Sequence, residues 1–81
     1  MRWVIVLYAS SKKAYKRILK LLKASDYKIF KANPFHLVIV TEWKPEIEEF
    51  AQKSKDVQSW RLTTIENIRE NPRRYLLRIP L

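Results

Sequence analysis

Two stretches of this chain are apolar at nearly every position, and they limit its possible folds more than any other feature. They read "RWVIVLY" at 2–8 and "FHLVIVT" at 35–41, and both are rich in β-branched residues. A strand sends alternate side chains to opposite faces, so a strand apolar on both faces needs cover on both. In the first run Trp3, Ile5 and Leu7 share one face, and Val4, Val6 and Tyr8 share the other. The two runs are therefore expected to be the central strands of a sheet.

The segments between and after them supply the rest. Ser10 or Ser11 caps a helix running to about Ala24, with Ala14, Tyr15, Ile18, Leu19, Leu21 and Leu22 on its inner arc. "DYKIFKA" (26–32) alternates as a second strand, and "NP" (33–34) marks the turn into the third. Pro45 opens a second helix, where Glu46, Glu48 and Glu49 complement the positive end of the dipole. "DVQSWRLTT" (56–64) reads as a fourth strand and "TTIENIRE" (63–70) as a short third helix, stopped by Asn71 and Pro72. The tail "RRYLLRIPL" (73–81) alternates, so a fifth strand is expected there. Strands 26–32 and 56–64, with Lys28, Lys31, Gln58 and Arg61, look like sheet edges.

This order gives one α+β domain over residues 1–81, a ferredoxin-like βαββαβ sandwich with a four-stranded antiparallel sheet and a C-terminal extension. Two helices cover only one face of such a sheet, so the other face needs a second cover. Either the tail folds across it, or a second copy does. The homodimer is the favoured expectation, with Trp3, Ile5, Leu7, Tyr75, Leu77 and Ile79 as interface residues.

Charge is distributed unevenly. The net charge is +9, carried as +8 by residues 1–31, −2 by residues 32–71 and +3 by residues 72–81. Lys12, Lys13, Lys16, Arg17, Lys20 and Lys23 occupy the outer arc of the first helix without an acid among them. Every i,i+3 and i,i+4 pair within this set is like-charged, a repulsion of roughly 1–2 kcal/mol that interleaved Glu would avoid. Lys12 and Lys13 also sit at the positive end of the dipole. Such an arrangement is relieved by a polyanion. The expected partner is nucleic acid, DNA or RNA, with Arg73 and Arg74 either extending the same surface or serving as charged edge residues of the terminal strand. Solvated surface is the plain alternative. A membrane is not expected as partner, because the helix cannot spare its inner residues from the core.

Catalysis is not expected. His36 is the lone histidine, read as a mid-strand packing or edge residue, and the chain has no cysteine for a thiolate or metal site. It also has no glycine, which excludes glycine-rich phosphate loops and leaves positive-φ positions to Asn, Asp or Lys. No cofactor or metal is therefore expected. The third run lacks the glycine and mid-strand aromatics of an RNA-recognition platform, so Trp3, Tyr8, Phe30, Phe35 and Trp60 read as core or interface. No apolar run reaches membrane-spanning length and no leader pattern opens the chain, so a soluble cytoplasmic protein is expected. Richness in Lys, Ile and Glu without Cys points to a thermophile.

"WVIVLYASSKKAYKRILKLLKASDYKIFKANPF" resembles the first half of the small ferredoxin-like subunit of the CRISPR adaptation complex. The likeness rests on the apolar strand ending at Tyr8 and the basic helix ending in Leu21 and Leu22. It implies a homodimer with exchanged C-terminal strands and double-stranded DNA as partner. Ala9 stands where the family's characteristic Asp would be, and Ser25 and Asp26 replace its Gly turn, so the likeness brings no metal-dependent nuclease role with it. The alternative from another class is an assembly subunit that docks a different protein through its apolar sheet face.

Overall fold

The computed structural model describes residues 2–75. Four strands, β1 (Trp3–Ala9), β2 (Ile29–Asn33), β3 (Val38–Glu42) and β4 (Val57–Thr64), form one sheet in the order β2-β3-β1-β4. Each neighbouring pair is antiparallel, and the two doubly apolar strands are central. Helices α1 (Lys12–Ala24) and α2 (Pro45–Lys53) follow β1 and β3, and α3 (Ile65–Glu70) follows β4. The chain is α+β with the ferredoxin-like strand order.

Local chemistry sets the boundaries. Ser11 is the N-cap of α1, its Oγ accepting from the Ala14 N–H at 3.1 Å. The helix ends where Asp26 turns into the left-handed region at φ 65°. In a glycine-free chain, Asp is among the residues that tolerate that region best. Asp26→Gly is expected to stabilise the fold by about 0.5–1 kcal/mol, read as a rise in the thermal midpoint. The turn after β2 is longer than expected, with Asn33 Oδ1 accepting from the Phe35 N–H at 3.0 Å and Leu37 at φ 59°. As a result β3 begins at Val38 rather than residue 35. His36 lies in that exposed turn, not mid-strand.

The sheet separates two cores. On one side Ile5, Leu7 and Ile39 pack beneath Ala14, Tyr15, Ile18 and Leu22 of α1 and Ile47 and Ala51 of α2. On the other, Val4, Val6, Val38 and Val40 pack against Ile65 and Ile68 of α3 and Tyr75. Tyr75 ends a single 3-10 turn (Pro72–Tyr75), so the fifth strand expected from residue 73 does not start there. A small polar knot fixes this cover. The Asn67 Nδ2 donates to Tyr75 Oη at 2.8 Å and to Thr63 Oγ1 at 2.9 Å, and the two hydroxyls lie 3.2 Å apart. Among the described residues no buried side-chain N or O atom lacks a hydrogen-bond partner.

Three expected interface residues are therefore occupied within the chain. Ile5 and Leu7 are fully buried under α1 and α2, because odd positions of β1 face the helices. Tyr75 is buried against the chain's own valines. Trp3 remains half-exposed at the end of β1, and Leu77 and Ile79 lie outside the described residues. The bare sheet face that called for a second copy is filled by α3 and the 3-10 turn.

Candidate nucleic-acid interface

Helix α1 lies on β1 with Ala14, Tyr15, Ile18 and Leu22 inward, which forces the intervening lysines outward. Leu21, expected on the inner arc, is instead 47% exposed at its margin beside Phe50. Lys12, Lys13, Lys16, Lys20 and Lys23 are all exposed, and none forms an ion pair among the described residues. From Lys12 to Lys23 the helix rises about 16 Å, a length over which one strand of a duplex carries about five phosphates. No acid occupies the first turn, and only Lys23 sits where the dipole favours a cation.

Arg17 differs from its neighbours. Its Nε donates to Asp56 Oδ2 at 3.0 Å and its Nη2 to Oδ1 at 2.7 Å, a two-pronged pair bridging α1 to the start of β4. The hydrogen bond and the charge of each partner raise the Arg17 pKa and hold the Asp56 carboxyl below its ordinary value. Arg17 is therefore an anchor of α1 more than a free cation. A depressed carboxylate pKa contributes stability above the unfolded Asp value of about 3.9, and that contribution disappears as pH falls through the folded value. Asp56→Asn should melt lower than the parent at neutral pH, and the gap should close as acid protonates Asp56. Thermal melts of both proteins across that range check this.

Arg73 and Arg74 are exposed but do not extend the lysine surface. They sit on the 3-10 turn, whose Tyr75 packs on the valine side of the sheet, opposite α1. Sequence order could not reveal this, since both segments are merely basic. Two further features leave no mark in the linear sequence. The Arg17–Asp56 pair joins residues 39 apart, and only the β1–β4 adjacency brings them together. Phe30 carries two cations, with Lys28 Nζ 5.0 Å and Arg2 Cζ 5.8 Å from its ring centroid.

Among the described residues no three His, Cys, Asp or Glu side chains converge to hold a metal ion, and no helix is long and apolar enough to cross a membrane. Comparison with protein-family models, curated proteins and solved structures found no match to this chain.

Proposed function

We propose that this chain binds nucleic acid without catalysis, through phosphate contacts made by Lys12, Lys13, Lys16, Lys20 and Lys23 of α1. The carrying observation is that these five exposed cations line one helix face with no ion-pair partner among the described residues. They keep their mutual repulsion although the chain has eight acids that could have been interleaved. Contacts of this kind read charge and spacing with little sequence information. The role does not need a homodimer, because the second sheet face is covered from within. Fluorescence anisotropy of labelled duplex DNA, single-stranded DNA and RNA tests it. Saturable binding at about 50 mM salt, competed by duplex of unrelated sequence, is expected, whereas no binding to any of the three ends the proposal.

A docking role keeps one supporting observation. Trp3 continues the Ile5–Leu7 face, Leu62 lies opposite Ile5, and the Trp43 N–H donates to the Trp3 carbonyl at 3.4 Å. These three side chains are 50%, 43% and 37% exposed, an apolar patch at one end of the helix side. If docking is the role, charge reversal on α1 leaves function intact.

A further inference from the structure

The cations of this protein form two surfaces on opposite sides of the sheet, the lysine face of α1 and a second one on the valine side. On the valine side, Arg61 lies opposite Val6 and Lys31 opposite Val40 in the strand registers, so both project from the same face as those valines. Arg2 and Lys28 lie against the ring of Phe30, which packs on that side. Arg69, Arg73 and Arg74 are exposed on the two elements that cover it. Among the described residues none of these seven cations forms an ion pair.

The acids available to them are few. Among the described residues, Glu42, Glu66 and Glu70 are the only ones on this side of the fold. Glu42 is already engaged, accepting from the Lys28 backbone N–H at 2.7 Å and lying 3.7 Å from Lys44 Nζ. Glu66 is held in its charged form chiefly by backbone N–H groups, with the Thr64 hydroxyl adding to the effect, and these lower its pKa against the opposing effect of desolvation. Among the described residues, seven cations and three acids leave this side a surplus of four positive charges without any contribution from α1.

We propose that this arginine-bearing face is a second phosphate-binding surface, and that the chain bridges two nucleic-acid segments across its sheet. The proposal rests on the α1 reading and adds a second site to it. A single straight duplex cannot touch both surfaces, because the sheet and both cores stand between them. Even the shortest axis of the fold spans 20 Å between Cα atoms. That separation is about twice the screening length at 0.1 M salt, so two bound segments repel each other only weakly across the surrounding solution. The two faces thus act as independent sites for the same chemical group, the phosphodiester.

The test is capture of one duplex by another. A biotinylated duplex is fixed on beads, a fluorescent duplex of unrelated sequence is added at about 0.1 M salt, and retention is measured with and without protein. Three proteins are compared: the parent, the triple variant Arg61→Glu, Arg73→Glu, Arg74→Glu, and the triple variant Lys16→Glu, Lys20→Glu, Lys23→Glu. All six positions are exposed, so both variants should fold, as checked by circular dichroism. The parent should retain the fluorescent duplex, and both variants should fall to the protein-free background. The arginine variant should still bind a single duplex in anisotropy, because its α1 face is untouched. A parent that binds one duplex but captures no second overturns bridging and leaves the α1 reading standing. Capture that survives in the arginine variant also overturns it, since it would then come from self-association. A parent that binds no duplex even at about 50 mM salt removes the α1 reading, and this inference with it.

Discussion

Ile68→Ala should cost this fold about 2–5 kcal/mol, the range for truncating a large buried aliphatic side chain. Ile68 is fully buried and sits in the centre of the cover that α3 lays over Val4, Val6, Val38 and Val40. The helix is only six residues long, so its stability comes from that packing and from its Thr64 cap, whose Oγ1 accepts from the Asn67 N–H at 3.2 Å. Loosening Ile68 therefore frees the Tyr75 cover as well. At roughly 4–8 °C per kcal/mol, the thermal midpoint should fall by at least about 8 °C. Arg69→Ala, one position along and exposed, should stay within about 0.5 kcal/mol. The destabilised variant should also self-associate more than the parent in sedimentation, because its central valines become accessible. Equal melts for both variants would mean that α3 does not cover the sheet in solution.

Charge reversal on α1 should have the largest effect on binding. Lys16 has Lys12 and Lys20 four residues away and Lys13 three away, all cationic. Lys16→Glu turns three repulsive pairs into attractive ones and should stabilise the fold by about 1 kcal/mol. The same change should weaken nucleic-acid binding. Opposite signs for stability and binding are hard to obtain from general damage to the fold. Reversing Lys16, Lys20 and Lys23 together should remove three phosphate contacts and add three repulsions at α1, and with Arg61, Arg73 and Arg74 also reversed so that the opposite face is silent, binding should fall beyond about 100-fold at 0.1 M salt. Arg17 is left in place deliberately, since its loss would also break the Asp56 anchor.

Much of the fold was legible because burial on both faces of β1 and β3 leaves a strong mark in sequence. Those two runs fixed the centre of the sheet, and the Lys-free inner arc fixed how α1 lies on it. The cover of the second face was harder to read. Tyr75 alternates with its neighbours as a strand residue would, but its buried hydroxyl is held by Thr63 and Asn67, partners visible only once β4 and α3 are in place. That contact draws residues 72–75 into a 3-10 turn and occupies the face a second copy was expected to cover. Ile5 and Leu7 were grouped with that face although even and odd positions part there, and the helices claim the odd ones. Charge was legible in amount but not in side. Lys12 to Lys23 and Arg73 to Arg74 look like parts of one basic surface in a linear sequence, and the sheet places them back to back.

The central claim is phosphate binding by α1, and its most direct measurement is the salt dependence of duplex affinity. Five lysines that each displace one counterion predict a slope of about −4.5 in log affinity against log salt, or roughly a 500-fold loss between about 50 and 200 mM. With Arg61, Arg73 and Arg74 reversed in both proteins, so that only α1 binds, the Lys16, Lys20, Lys23 reversal should flatten that slope by about 2.7 or more. A parent slope near zero, or one left unchanged by the reversal, would contradict the claim and reduce the lysine face to solvent cover.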